Sequence, residues 1–380
     1  MRVLVAMSGG VDSSVVACLL KEQGHDVIGV RFQLWQDPLA PAIAKVLPTK
    51  CCDAQTLARA RSVCKSLSIP LHTLDLTANF KCTVVDPFIA AYRDGTTPNP
   101  CVECNRSFKF KHLLSLAQKL RCDKVATGHY ARIVRRNGGF ALLEATDRTK
   151  DQSYFLARLT QKELSRTVLP LGTKTKRETY ALAQKFKLPL DPMSYKESQD
   201  LCFVPEKSPA AFLRRYITNA SPGPIKTLDG KIVGKHEGLP FYTIGQRKGL
   251  RIGGQNAPHH VVFIDQKNNT IFVAPYRALL SKHVYIRLIS FTRHTLKENA
   301  RIRLTARTRA RSAAERGIFT FRRSTGLFSF KHTIYAPTPG QALVLYRGQE
   351  IVGSGIIAQN PLSKRGTQTG KSATITHRSL

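Results

Sequence analysis

Acidic residues are scarce in this chain. Its 380 residues hold 25 Asp+Glu against 59 Lys+Arg, a formal net charge of +34. Such an excess argues for a polyanionic partner, nucleic acid first. A generally basic proteome would give the same total, so the distribution matters: residues 281–380 carry 18 Lys+Arg and 3 Asp+Glu. Long apolar runs are also missing. No stretch approaches the 18 or so residues of a membrane span, so no membrane partner is expected. The N-terminal "MRVLVAMSGG" meets a glycine turn too early for a signal peptide and reads as a first strand, which predicts a cytoplasmic protein. No internal repeat is present. Nine cysteines without a secretory leader do not form a disulfide framework. Cys18, Cys64, Cys82 and Cys122 sit in apolar or helical patterns and read as small buried hydrophobes.

The first 130 residues alternate strand and helix: "RVLVAM", "DSSVVACLLKEQG", "DVIGVRF", "DAQTLARARSVCKSL", "PLHTLDL", "SFKFKHLLSLAQKL", "KVATG". This rhythm predicts an α/β fold, a Rossmann-like parallel sheet with helices on both faces and ligands beyond the strands' carboxyl ends. A further helix is expected at "TKRETYALAQKFKL". Pro and Gly then become frequent, and after residue 280 short alternating strands predict a β-barrel. The expected divisions are 1–204 for the nucleotide domain, 205–280 for a small central domain and 281–360 for the barrel. Residues 361–380 read as a basic, disordered tail. Within the barrel, the spacing of Arg301, Arg303, Arg307, Arg309 and Arg311 predicts guanidinium groups along one strand face, suited to phosphates.

"AMSGGVDSS" lacks the G-K-[ST] ending of a P-loop, yet it has the means to hold an anion. Gly9 and Gly10 let the backbone approach closely, while Ser8, Ser13 and the amides opening the next helix can donate hydrogen bonds. Asp12 would repel a bare phosphate, so a bridging Mg²⁺ is expected. A second segment, "GTTPNPCVECNRSFKF", carries Cys101 and Cys104. Cys104 is expected near a helix N-terminus, where Arg106 or Lys109 would favour its thiolate. The same C-x₂-C, joined by Cys51 and Cys52, also reads as a poor zinc site. A third segment, "ESQDLCFVP", holds Cys202 between apolar neighbours, a position equally suited to plain burial.

"SGGVDSS" resembles the pyrophosphate loop of the N-type ATP pyrophosphatases, which release pyrophosphate while adenylating a substrate. With "TPNPCVECNRSFKF", "ATGHYAR", "KDQSYFL", "ESQDLCFVP", "GLPFYTIGQRKGL" and "PGQALVLY" in order, the chain resembles the bacterial tRNA-specific 2-thiouridylases of the MnmA type over about residues 3–358. The resemblance implies ATP-dependent thiolation of the wobble uridine of tRNAs for Lys, Glu and Gln, with Mg²⁺ accompanying ATP and no metal held by the protein itself. A sulfur-relay protein or a cysteine desulfurase would donate the persulfide. It implies Cys104 as nucleophile and Cys202 as persulfide carrier, with a transient disulfide between them. ATP would be held by Ala6, Met7, Ser8, Gly9, Gly10, Val11, Asp12 and Ser13, with Phe32 and Gly128 on the adenine and ribose side. Contacts to tRNA would fall at Asn99, Pro100, Cys101, His129, Lys150, Asp151, Gln152, Arg309, Ala310 and Gln341. Some members have an aspartate where Cys101 stands, which leaves a general acid–base role at that position in doubt. Another pyrophosphate-loop enzyme, such as an amidating synthetase or a 4-thiouridine-type sulfurtransferase, is the nearest rival. A zinc-stabilised RNA-binding protein is the rival from a different class.

Overall fold

A computed structural model of the chain describes residues 1–41, 54–188, 201–206, 208–253, 257–293 and 295–359. Cys51, Cys52, the first four residues of "ESQDLCFVP" and the basic tail lie outside the described residues.

Seven strands belong to the N-terminal part: β1 Arg2–Ala6, β2 Asp26–Gln33, β3 Leu71–Asp75, β4 Lys124–Ala126, β5 Arg132–Arg136, β6 Gly139–Leu143 and β7 Thr167–Val168. Five of them form a parallel sheet in the order β3-β2-β1-β4-β7. The central strand β1 is apolar throughout because both its faces are covered. Val3 and Val5 face one core, with helices Val11–Glu22 and Ala54–Ser66, while Leu4 faces the other, with helix Phe110–Lys119. The chain runs from β1 outward to β2 and β3, then crosses to β4 on β1's other side. The sheet therefore has its topological switch between β1 and β4, where a doubly wound sheet opens a ligand crevice.

The central part follows helix Pro209–Tyr216 with four strands, β8 Gly223–Thr227, β9 Ile232–His236, β10 His259–Asp265 and β11 Thr270–Pro275, in the order β10-β11-β8-β9. Six more, β12 Leu280–Phe291, β13 Ile302–Arg307, β14 Glu315–Arg322, β15 Thr325–Tyr335, β16 Ala342–Arg347 and β17 Glu350–Ile357, make the barrel. It runs β12-β15-β14-β13-β16-β17 and closes through pairing of β12 with β17. Phe319, Phe328 and Leu345 fill its interior.

Three expectations need correction. The β5–β6 hairpin leaves the N-terminal part and pairs with β17 (Glu350 opposite Leu143), so the barrel sheet includes residues assigned by sequence to the nucleotide domain. The arginine face is interrupted, because β13 ends at Arg307 and Arg309 and Arg311 lie beyond it. Arg307 is occupied besides: it donates to Glu144 at 2.5 Å and Asp151 at 3.1 Å. Cys82 is exposed rather than buried; it sits on the outer side of a π-turn, Lys81–Val85, which shifts the helical face.

Candidate active site

The loop after β1 enters helix Val11–Glu22 through Gly10, which is extended and supplies no side-chain cap. The first amides of that helix are left for an anion, which the helix dipole favours. Gly9 takes φ +77°, and a Cβ there would lie 2.2 Å from the Thr56 carbonyl oxygen, so only glycine fits. The Ser13 hydroxyl donates to the Gly10 carbonyl at 3.1 Å and lies 3.2 Å from the Ser8 hydroxyl. Gly128, after β4, packs on the helix start: its Cβ would sit 3.0 Å from Asp12 Cβ and 3.1 Å from the Ser13 amide nitrogen. The loops after β1 and β4 thus meet at the switch point. Ala6 ends β1, and Met7 and Val11 on either side of the loop are buried.

The Asp12 carboxylate is not free to face a ligand alone. Lys176, buried at 8% exposure, sets its ammonium 2.7 and 2.9 Å from the two carboxylate oxygens. The Tyr130 hydroxyl lies 2.9 Å from both Asp12 Oδ1 and Thr179 Oγ1. The sequence reading missed Lys176. Its signal is the capping box Thr175–Glu178, which fixes the helix start and seats Lys176 in the first turn against the loop.

Asn99 caps the cysteine helix by accepting from the Val102 amide at 3.3 Å, and Pro100 opens it. This helix runs Pro100–Glu103 and continues through a π-turn, Cys104–Lys109, of the kind that clusters at functional sites. Cys104 is therefore one turn into the helix, not at its tip. Burial raises its thiol above the ordinary value, and the neighbouring ammonium of Lys109 only partly opposes this. Burial likewise pushes Cys101 up to about 11, Cys104 adding to the rise and Lys109 opposing it. Burial therefore works against the thiolate expected at Cys104, and the Lys109 cation works for it.

Phe32, at the end of β2, contacts the edge of Phe108 with ring centres 6.3 Å apart. Phe108 meets Phe80 at 5.1 Å, and Phe80 meets Phe203 at 6.0 Å. Since Phe203 follows Cys202, one aromatic cluster seats both cysteine segments, and Cys104 packs against it. Glu206 and Asp37 both pair with Arg215 of helix Pro209–Tyr216, anchoring the stretch after Cys202. Cys202 itself is exposed.

The barrel grips the same region. Gln341 donates to the carbonyls of Thr97 at 2.9 Å and Pro98 at 3.1 Å, and accepts from Asn99 at 3.4 Å. Gly340, at φ +95°, brings its backbone so close to Thr97 that a Cβ would lie 2.8 Å from its carbonyl oxygen. Arg309 donates to the Ala336 carbonyl and the Thr338 hydroxyl, bracing that turn, and Ala310 packs against the N-terminal core. Asp151 is enclosed: it accepts from the Ala145 and Ser153 amides, the Ser153 hydroxyl and Arg307. Its carboxylate, 3% exposed, holds the interface together rather than offering itself to a ligand. Gln152 is bonded both ways to the Tyr130 backbone, and Lys150 is half-buried beside it. His129 stacks on Phe110, with its Nδ1 2.7 Å from the Thr127 hydroxyl; burial first, and Lys109 second, hold its imidazole well below the ordinary value.

Comparison with known proteins agrees with this three-part layout. Residues 1–206 match the model of the tRNA methyl transferase HUP domain, 210–275 that of the tRNA methyl transferase PRC-barrel domain, and 281–357 that of the aminomethyltransferase β-barrel domain. The fold and loop therefore define a HUP-domain protein with two appended β units. Among curated proteins, the chain is 43% identical to the tRNA-specific 2-thiouridylase MnmA of Chloroflexus aurantiacus, covering 94% of this chain and 98% of that one. It is 40% identical to the MnmA of Halothermothrix orenii (94% and 99%) and 39% identical to that of Rickettsia africae (94% and 96%). The chain belongs to the tRNA-specific 2-thiouridylase family.

Proposed function

We propose that this protein is a tRNA-uridine 2-sulfurtransferase, which uses ATP to replace the C2 oxygen of uridine 34 with sulfur in tRNAs for Lys, Glu and Gln. The observation that carries this reading is a chain of contacts: an anion-cradling loop packed against Gly128, whose neighbour His129 stacks on Phe110 of the cysteine-bearing helical stretch, and both cysteine segments seated on one aromatic cluster. An RNA-binding protein needs neither.

A uridine C2 carbonyl is a poor electrophile without a leaving group. Attack by its oxygen on the α-phosphorus of ATP turns that oxygen into part of AMP and releases pyrophosphate. The amides opening helix Val11–Glu22, with Ser8 and Ser13, hold the departing pyrophosphate, while Phe32 and Gly128 border the nucleoside. Asp12 is already paired with Lys176. Asp12 is the carboxylate of this loop that would help hold a Mg²⁺ ion accompanying ATP, and the ion would supply charge neutralisation at the phosphates.

Cys202, exposed, accepts a persulfide from a sulfur-relay protein or a cysteine desulfurase. The Cys104 thiolate attacks the inner sulfur of that persulfide, a Cys104–Cys202 disulfide forms and hydrosulfide leaves. Hydrosulfide adds at C2, AMP departs and the thiocarbonyl remains. The base must leave the anticodon stack to reach this site, with Asn99, Pro100 and Cys101 beside it. The basic barrel and the positions at His129, Lys150, Gln152, Arg309, Ala310 and Gln341 border the RNA; Asp151 contributes through its backbone and its ion pair. The cytoplasm, which supplies both tRNA and ATP, is the place proposed for this reaction; among the described residues no helix is long and apolar enough to cross a membrane.

Incubation with unmodified tRNA, ATP and a persulfide source, followed by nucleoside mass spectrometry, tests the proposal. The expected product is 2-thiouridine at position 34, dependent on ATP. Thiolation at another position, or amidation, would transfer the protein to one of its pyrophosphate-loop rivals.

A further inference from the structure

The sulfur route above leaves Cys104 and Cys202 oxidised after each turnover, joined across two separate segments beneath the RNA. The nearest thiol on the same helix is Cys101. The Cys104 backbone N–H donates to the Cys101 carbonyl, so the two residues close one tight helical turn. Side chains three apart on a helix share a face, with Cβ atoms about 5–6 Å apart. A disulfide needs about 3.5–4.5 Å, so closing the pair asks for a shift of about 1–2 Å. The π-turn that begins at Cys104 is the irregularity that can absorb such a shift. Both thiols are half-buried, and the ammonium of Lys109 acts on each.

From this pairing we infer that Cys101 is the resolving thiol of the reaction: it attacks the Cys104 sulfur of the Cys104–Cys202 disulfide and sets Cys202 free. The inference rests on the two-thiol sulfur route. In the exchange a Cys101–Cys104 bond forms and the Cys104–Cys202 bond breaks. The proton lost by Cys101 is made good on the departing Cys202 thiolate, and no net oxidation occurs. Cys202 returns to its exposed position and can be recharged at once. The Cys101–Cys104 disulfide is then reduced by an external dithiol, the class of reductant this cycle requires.

The test is one thiolation turnover without reductant, followed by alkylation and digestion. Cleavage after Arg93 and Arg106 yields a peptide, 94–106, that contains both Cys101 and Cys104. In the wild-type protein this peptide should be two hydrogens lighter and refuse alkylation, while Cys202 is alkylated. In Cys101→Ser, peptide 94–106 should instead be cross-linked to the Cys202 peptide. With limiting dithiol, the variant's later turnovers should slow by about tenfold or more relative to its own first turnover. A persistent Cys104–Cys202 cross-link in the wild type, or wild-type cycling by Cys101→Ser, would overturn the inference and leave the sulfur route standing. Thiolated product with no disulfide in either protein would overturn both.

Discussion

Lys176 is the residue on which the nucleotide loop leans. Its ammonium neutralises Asp12 directly beneath the anion cradle and lies over the rings of Tyr130 and Tyr180, 5.7 and 4.9 Å from their centres. Lys176→Ala should leave a partly buried carboxylate unpaired and cost about 1–3 kcal/mol, less than for a fully buried pair because Asp12 keeps some hydration. It should also lower ATP-dependent turnover far more than Lys185→Ala, whose partner Glu22 is exposed; urea unfolding and single-turnover rates measure the two effects. His129 gives a pH signature. Its imidazole is neutral in the folded protein well below the pH at which the unfolded chain takes up a proton. Its contribution is therefore fully present above about pH 6.5 and is lost as pH falls, at up to about 1.4 kcal/mol per pH unit. Stability measured against pH should be flatter in His129→Gln below 6.5; an unchanged slope would mean that the imidazole titrates normally. Neither feature was legible in sequence, because each depends on a partner from a distant segment. The glycines were legible, since positive φ and close approach leave a residue-type signature that a salt bridge does not.

Between elements, the turn joining β15 to β16 acts as a jig for the cysteine helix. Two Gln341 hydrogen bonds and the Gly340 approach fix Thr97 and Pro98, which lead directly into the Asn99 cap. Gln341→Ala should loosen that loop, lowering the thiolation rate by about tenfold and speeding alkylation of Cys104, with a smaller change in tRNA affinity. If affinity falls and alkylation is unchanged, Gln341 acts as an RNA contact alone. The parallel sheet and the barrel strands were readable because their apolar periods, continuous in β1 and alternating in β13, reflect how many faces are covered. The β5–β6 hairpin was not read as part of the barrel, since its pairing with β17 is a long-range match that local pattern does not encode. Cys82 was misassigned for a related reason: the π-turn adds a residue per turn and rotates the face that helical spacing predicts.

Across the whole molecule, excess charge divides into cations that build the fold and cations left for a partner. Arg307 belongs to the first kind, and Arg307→Ala should destabilise the protein by about 1–3 kcal/mol, since Glu144 keeps Arg148 and Asp151 keeps its amide and hydroxyl donors. Arg303, Arg316, Lys331 and Arg347 line a groove of about 550 Å³ on the barrel, and none is paired with a carboxylate among the described residues. Replacing Arg303, Arg316 and Lys331 together with Ala should weaken tRNA binding and flatten its salt dependence, by up to about one log–log unit for each phosphate no longer neutralised. Filter binding at several salt concentrations measures this, and an unchanged slope would mean that the RNA lies elsewhere. Composition predicted the partner's charge but not which arginines meet it, because an arginine matched by an acid far along the chain looks the same in sequence as a free one. The central claim is that sulfur travels through Cys202 and is released by Cys104. Its most direct measurement is persulfide mass labelling beside thiolation rate in Cys202→Ser and Cys104→Ser. The account predicts that Cys202→Ser loses both persulfide and activity, while Cys104→Ser keeps the persulfide on Cys202 and loses activity. Normal thiolation by Cys202→Ser would contradict it.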